Sequence, residues 1–106
     1  MTSFALSDLD RIIAERVGSD ASKSYTKSLL ESGTGRVAKK FGEEAVEAVI
    51  AAAQNDRVAL AEEAADVFYH LLVMLRSVDV PLSAVMGILE GRTVQSGHAE
   101  KSSRGS

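Results

Sequence analysis

The sequence predicts an all-α fold, a small helical bundle with two central antiparallel helices. Helical periodicity runs through most of the 106 residues, and the chain has neither alternating strand patterns nor the Asn-Gly and Asp-Gly dipeptides of tight hairpins. The only proline is Pro81. The two longest periodic segments are joined by the short link Asn55-Asp56, which makes them antiparallel neighbours.

The N-terminal half supplies two shorter helices. The first is predicted to begin at Ser7, with Asp10 three residues later as a loose capping box, and to end before Gly18. The second is expected to cover about residues 20 to 32 and to stop at Gly33. The inward residues expected on the first helix are Leu9, Ile12, Ile13 and Val17.

Three longer elements follow. The third helix is predicted over about residues 35 to 54, and Asp56 caps a fourth that runs to about Val78. Pro81 suits the first turn of a fifth helix. The apolar stripes expected to face the core are Val37, Phe41, Ala45, Ala48, Val49 and Ala52 on the third helix, Leu60, Ala64, Phe68, Leu71 and Leu75 on the fourth, and Leu82, Val85, Met86 and Leu89 on the fifth.

The predicted domain organisation is one all-α domain over residues 1–92 and a polar tail over residues 93–106. The tail belongs to the same functional unit, and its composition predicts disorder unless a ligand or partner orders it. A chain this short has a thin core. The fourth helix is apolar almost all round, and one antiparallel neighbour cannot cover so much apolar surface. A homodimer in which such helices meet is therefore expected.

Composition excludes several classes of function. The net charge of −3 gives no basic field, so no nucleic-acid partner is expected. There are no cysteines, which excludes disulfides, zinc ribbons and thiol catalysis. The N-terminus does not have the pattern of a signal peptide, and no segment approaches the roughly 20 apolar residues of a membrane span. A cytoplasmic protein without a membrane partner is therefore expected.

Two acidic clusters repeat the same spacing on the two central helices. In KKFGEEAVEAVIAA, Glu44 and Glu47 lie three apart at the edge of the apolar stripe, and in EEAADVFYHLLVML, Glu63 and Asp66 have the same relation to theirs. The adjacent Glu43 and Glu62 turn further toward solvent. Antiparallel packing would bring the two pairs together, and four converging carboxylates repel one another. A solvated face with ion pairs accounts for any single glutamate, whereas the repetition favours a bound cation.

The ligand type narrows the choice of ion. Carboxylate-only sites suit Mg²⁺, Mn²⁺ or Ca²⁺. A di-iron site in a bundle needs Glu-x-x-His on two helices, but His70 lies four residues after Asp66 and the third helix has no histidine. Because Mg²⁺ usually shares its coordination with phosphate oxygens, a magnesium site of this kind implies a phosphorylated substrate.

The acidic pattern also resembles a known family. Glu43-Glu44-x-x-Glu47 followed by Glu63-x-x-Asp66, together with SYTKSLLESG, the lysine of KFGEE, DVFYHLL and the tail stretch SGHAEKSSR, is similar to the phosphoribosyl-ATP pyrophosphohydrolase family of the all-α nucleoside triphosphate pyrophosphohydrolases. The resemblance covers about residue 24 to the end. Val94 departs from it, since family members often carry glycine before the SG pair.

The resemblance implies Mg²⁺-dependent hydrolysis of 1-(5-phosphoribosyl)-ATP to 1-(5-phosphoribosyl)-AMP and pyrophosphate in L-histidine biosynthesis. The residues that match its metal ligands are Glu44, Glu47, Glu63 and Asp66. Glu43, Glu44 and Glu47 are the expected catalytic residues, with Glu43 orienting water or supporting a ligand. The expected phosphate-binding residues are Lys40, Lys101 and Arg104, with Lys27 and Arg92 as secondary candidates.

Two other functions stay open at this point. One is a related pyrophosphohydrolase that acts on other (d)NTPs, which the acidic motif does not distinguish. The other is a non-catalytic helical dimerisation module whose acids form a solvated face. The roles of two further side chains are also left open. Tyr25 either stacks on the adenine or fixes the second helix to the core. His70 is expected to form hydrogen bonds rather than to ligate metal.

Overall fold

The computed structural model describes residues 3–18 and 24–94, and these residues form an all-α fold, as predicted. No strand occurs in these two ranges. The helices within them are α1 (Leu6–Val17), α2 (Tyr25–Glu31), α3 (Thr34–Ala53), α4 (Arg57–Ser77) and α5 (Leu82–Thr93).

The centre of the fold is the antiparallel pair α3 and α4, with 20 and 21 residues. The link between them turns at Asn55, whose φ is 58°. The Asp56 amide donates to the Ala51 carbonyl at 2.9 Å, which closes the end of α3. The Asp56 carboxylate accepts from the Ala59 amide at 3.1 Å, which confirms the predicted cap of α4.

The start of α1 differs from the prediction. The helix begins at Leu6, one residue before Ser7, and the carboxylate that accepts from the backbone at its start is Asp8, from the Ala5 amide at 2.8 Å. Asp10 was therefore wrong as the capping acid. It lies two residues after Asp8 on the face toward α4, where its carboxylate pairs with Arg76 at 3.3 Å and joins the two helices.

The segment α2 is shorter than expected. Ser24 is extended, and its hydroxyl accepts from the Lys27 amide at 3.2 Å, so the helix begins at Tyr25 instead of near residue 20. Residues 20 to 23 of the prediction lie outside the described residues. Gly33 has a φ of 99°, which residues with a side chain rarely adopt, and this lets α3 begin directly after α2.

The buried face of α3 lies beside the predicted stripe. Val37 is fully buried as expected, but Val49 is 67% exposed, and Glu44 and Ala51 are buried instead. These three buried positions are seven residues apart, two turns each, so they form one line along the helix. The core that includes Val37 is small and consists of Ile13, Leu29, Val37, Leu72 and Val73.

The packing of α4 and α5 corrects two further predictions. On α4, Leu72 and Val73 are buried, whereas Phe68, expected inward, is 48% exposed. On α5, Met86 and Leu89 were also expected inward, and both are exposed. Hydrophobic periodicity cannot choose a face on helices that are apolar almost all round, and the described helices leave part of these faces exposed.

The axes of α4 and α5 turn by 116° at the break that contains Pro81. Pro81 is the N-cap of α5, one position before the predicted first turn. Taken alone, none of the described helices has both the length and the hydropathy needed to cross a bilayer, and α4 with α5 passes that test only as this bent pair.

Candidate active site

Three of the predicted acids converge in the seam between α3 and α4. Glu44 from α3 and Glu63 and Asp66 from α4 have carboxylate oxygens that lie within 4.8 Å of one another. Glu44 is on the buried line of α3, and its side chain is only 12% exposed. Glu63 and Asp66 are three residues apart and therefore on one face of α4. The repeated spacing thus places acids on both sides of the seam.

The fourth predicted acid, Glu47, contacts the same cluster through Glu63. The two carboxyl groups share a hydrogen bond, which is the largest cause that raises the pKa of Glu63 from 4.5 to about 7. Loss of hydration and the negative charges of Glu47, Glu44 and Asp66 raise it further. A hydrogen bond between two carboxyl groups requires a proton on one of them. Without a bound cation, the cluster would therefore hold a proton close to neutral pH.

Among the described residues, Lys40 is the basic side chain that pairs with this cluster. Its ammonium lies 3.7 Å from the Glu44 carboxylate and 3.9 Å from that of Glu43. Glu43 is half exposed and Glu62 is exposed, so both face solvent as predicted. Pairs as exposed as Lys40 and Glu43 contribute about 0.2–1 kcal/mol. The pair with Glu43 is therefore weak, whereas the pair with Glu44 joins Lys40 to a buried carboxylate.

His70 is hydrogen-bonded to the backbone of the acidic cluster. The ring is buried, and its Nδ1 lies 2.8 Å from the backbone oxygen of Asp66. A carbonyl only accepts, so Nδ1 donates, and in the neutral ring Nε2 then accepts from the Tyr25 hydroxyl at 3.2 Å. Both ring nitrogens are engaged, and His70 fixes the Asp66 backbone, in line with the hydrogen-bonding role expected of it.

Tyr25 connects this hydrogen bond to a cleft. Its ring stacks on Tyr69 with centroids 6.2 Å apart, and about half of the residue is exposed. Burial raises the pKa of the Tyr25 hydroxyl, while the positive charges of Lys40 and Arg36 act in the opposite direction. Tyr25 therefore fixes α2 to α4, one of its two expected roles, and its remaining surface faces the cleft.

The cleft lies between α2 and α3 and has a volume of about 300 Å³. Three basic side chains from one face of α3 line it, together with Glu43 and residues of α2. Its lining consists of Tyr25, Ser28, Leu29, Ser32, Arg36, Lys39, Lys40 and Glu43. A second cleft of about 410 Å³ opens on the other side of the cluster, next to Glu47 and Glu63.

Two cleft residues were missed from the sequence, Arg36 and Lys39. The signal was present in RVAKK, where basic residues at i, i+3 and i+4 must share a helix face directly before the acidic motif. Of the other expected phosphate-binding residues, neither Lys27 nor Arg92 lines this cleft. Lys101 and Arg104 lie outside the described residues, as does the rest of the tail after Val94.

Comparison with known proteins identifies the family. The family model of phosphoribosyl-ATP pyrophosphohydrolase matches residues 6–93. The chain belongs to this family. Curated relatives that bear the name phosphoribosyl-ATP pyrophosphatase match over 104 residues: the protein of Methylobacterium nodulans is 57% identical, covering 98% of this chain and 97% of that one. That of Agrobacterium fabrum is 55% identical with the same coverage.

The family predicted from the acidic motif is thereby confirmed. The part of the chain that matches the phosphoribosyl-ATP pyrophosphohydrolase model contains α1 to α5, all four clustered carboxylates and the basic side chains of the cleft. Val94, where the sequence departs from the family's pattern, follows directly after this part and is 80% exposed.

Proposed function

We propose that this chain hydrolyses phosphoribosyl-ATP to phosphoribosyl-AMP and pyrophosphate, as a step of L-histidine biosynthesis. The observation that carries the proposal is the convergence of Glu44, Glu63 and Asp66 within 4.8 Å in a member of this family. The cytoplasmic location expected from the sequence belongs to the same proposal, and the proposed biosynthetic role agrees with it.

The cluster fits a hard divalent cation, and we infer that Mg²⁺ binds there. Its donors are carboxylate oxygens, the ligands that Mg²⁺ prefers. The raised pKa of Glu63 supports this fit, since a bound cation would replace the proton that the cluster otherwise holds. His70 is not part of the donor set because both of its nitrogens are engaged. The proposed ligands are Glu44, Glu47, Glu63 and Asp66.

When bound, Mg²⁺ neutralises phosphate charge and lowers the pKa of water, which makes water a nucleophile toward phosphorus. The chain's own residues position the reactants. Glu43 is half exposed beside the cluster and is proposed to orient the attacking water, with Glu44 and Glu47 holding the catalytic ion. Lys40 is proposed to leave its pairs with Glu43 and Glu44 and to contact phosphate oxygens. Lys101 and Arg104 are proposed to do the same from the tail.

Pyrophosphate release tests the proposal, with phosphoribosyl-ATP, ATP and dCTP as substrates, each with and without Mg²⁺. We expect Mg²⁺-dependent turnover of phosphoribosyl-ATP alone. Glu47→Gln should abolish turnover while the circular dichroism spectrum stays unchanged, and Glu62→Gln, which removes an exposed charge on α4, should remain active. Turnover of ATP or dCTP would instead favour the related (d)NTP hydrolase. No turnover and no Mg²⁺ binding would leave the non-catalytic helical module.

We also propose that the chain forms a homodimer. The exposed sides of α3 and α5 carry large apolar residues: Val46, Val49, Ile50, Met86, Ile88 and Leu89. With Phe68 of α4 also half exposed, a second copy of the same chain would cover surface that one chain cannot. Sedimentation equilibrium should give twice the 11.2 kDa chain mass. Ile50→Glu should shift the protein toward a monomer, and a wild-type monomer at high concentration would refute the dimer.

A further inference from the structure

Two of the three basic residues in the cleft between α2 and α3, Arg36 and Lys39, are not used by the reaction described so far. Arg36, Lys39 and Lys40 all line this cleft of about 300 Å³, against one acidic residue, Glu43. Lys40 is engaged with Glu43 and Glu44. Within residues 3–18 and 24–94, Arg36 and Lys39 form no ion pair. Two cations are therefore directed at a concave surface that has room for a ligand.

The position of these cations along α3 separates them from the acidic cluster. Arg36 precedes Glu44 by eight residues, which corresponds to about 12 Å along the helix axis. Lys40 lies halfway, one turn from each of them. The cleft therefore begins beside the carboxylates and extends away from them along α3 toward Arg36.

The proposed substrate also has two anionic ends. Its triphosphate carries the bond that is hydrolysed, and its second end is the 5-phosphate of the ribose attached to the adenine. A nucleoside and a ribose separate the two. If the triphosphate lies at the acidic cluster, the second phosphate requires a cationic partner at a distance from it, and Arg36 and Lys39 have that position.

We propose that Arg36 and Lys39 bind the 5-phosphate of the phosphoribosyl group, the phosphomonoester that distinguishes this substrate from ATP. The inference deepens the proposed function and rests on it for the identity of the substrate. The planar guanidinium of Arg36 suits bidentate contact with phosphate, and Lys39 adds a second charge. Tyr25 and Leu29 provide the apolar wall of the same cleft, and Ser28 lines it with a hydroxyl that can hydrogen-bond to a sugar.

This assignment makes Arg36 and Lys39 specificity-determining residues. ATP has no group that reaches them, so they contribute to binding of the phosphoribosyl nucleotide and not to binding of ATP. Lys40 differs because it lies beside Glu44 and would contact the triphosphate of either nucleotide. Substitution of Arg36 should therefore lower the discrimination between phosphoribosyl-ATP and ATP, whereas substitution of Lys40 should slow the turnover of both nucleotides.

The direct test is binding of ribose 5-phosphate to the full-length protein in EDTA, followed by NMR of the backbone amides. Ribose, inorganic phosphate and pyrophosphate serve as comparison ligands, and no metal or turnover is needed. We expect ribose 5-phosphate to bind with shifts centred on residues 25–40, and more tightly than ribose. Arg36→Gln and Lys39→Gln should each weaken it about ten- to hundredfold, the loss of a charge-assisted hydrogen bond.

Arg57→Gln is the matched control, because Arg57 is exposed at the start of α4, near the opposite end of α3 from Arg36. It should bind as the wild type does. Circular dichroism shows whether each variant is folded. Arg36→Lys keeps the positive charge and shows whether the bidentate contact of the guanidinium matters. No binding of ribose 5-phosphate would overturn the proposal. Tighter binding of pyrophosphate through Arg36 would also overturn it and assign the cleft to the leaving group.

Steady-state kinetics supply the second readout. Arg36→Gln should raise KM for phosphoribosyl-ATP about ten- to hundredfold with little change in kcat, and leave any slow turnover of ATP unchanged. An equal loss for both nucleotides would overturn the assignment. If the wild type binds ribose 5-phosphate through Arg36 but does not hydrolyse phosphoribosyl-ATP, the proposed function fails while the cleft assignment stands.

Discussion

Proton release on metal binding tests the shared hydrogen bond between Glu47 and Glu63. The pKa of Glu63 is about 7 in the metal-free cluster, and a carboxylate must be ionised to ligate Mg²⁺. Only about a tenth of the Glu63 groups are ionised at pH 6, and about a hundredth at pH 5. The apparent affinity for Mg²⁺ should therefore fall about tenfold for each pH unit below 7 and level off near pH 8.

Isothermal titration calorimetry in buffers of different ionisation enthalpy measures this directly. Binding of Mg²⁺ to the wild type should release about 0.9 protons at pH 6 and about 0.1 at pH 8. Glu47→Gln removes the carboxyl partner that is the main cause of the raised pKa, so the midpoint of proton release should move toward 4.5, even if the metal binds less tightly.

The matched control is Glu62→Gln, since Glu62 is adjacent in sequence but is not among the groups that raise the pKa of Glu63. It should keep the wild-type midpoint near 7. Two results would refute the reasoning: no proton release at pH 6 in the wild type, or an unchanged midpoint in Glu47→Gln.

Three other predictions concern stability. Because the folded-state pKa of Glu63 is raised, its contribution to the unfolding free energy is fully present below pH 4.5 and is lost as pH rises through about 7. Urea unfolding in EDTA should show this loss in the wild type, and a smaller loss in Glu47→Gln. Val73→Ala should cost about 2 kcal/mol because Val73 is fully buried, against less than about 0.5 kcal/mol for Val58→Ala, which is 72% exposed. Asp56→Ala should cost about 1 kcal/mol through the lost cap of α4, and a thermal midpoint equal to the wild type would contradict that role.

The long helices were predictable because local signals define them. Asp56 caps α4, the Asn55-Asp56 link is too short for anything but an antiparallel pair, and the acids repeat at helical spacing on both sides of it. These facts made the juxtaposition of Glu44 with Glu63 and Asp66 an expectation, and the packing of the two helices decided it. Arg36 and Lys39 were predictable in principle, because they share the helix face of Lys40 at the same helical spacing.

The buried faces were less predictable, for a physical reason. Hydrophobic periodicity gives the direction of an apolar stripe, but it assumes that the inward face is the most apolar one. On α3 this assumption fails because the inward line contains Glu44, and the apolar residue Val49 faces outward. Contacts between distant residues, such as Asp10 with Arg76 and Tyr25 with His70, depend on packing and leave no local signal.

The burial of Glu44 explains both the misplaced stripe and the chemistry. On the line Val37, Glu44 and Ala51, an apolar side chain at the middle position would enlarge a thin core, and a carboxylate there loses hydration at a cost in stability. The half-exposed Lys40 compensates only part of that loss. The position therefore makes sense as a site for a cation, because a divalent ion in the seam would satisfy Glu44 and hold α3 to α4 through Glu63 and Asp66. Folding of the seam and binding of such an ion would then be one coupled equilibrium.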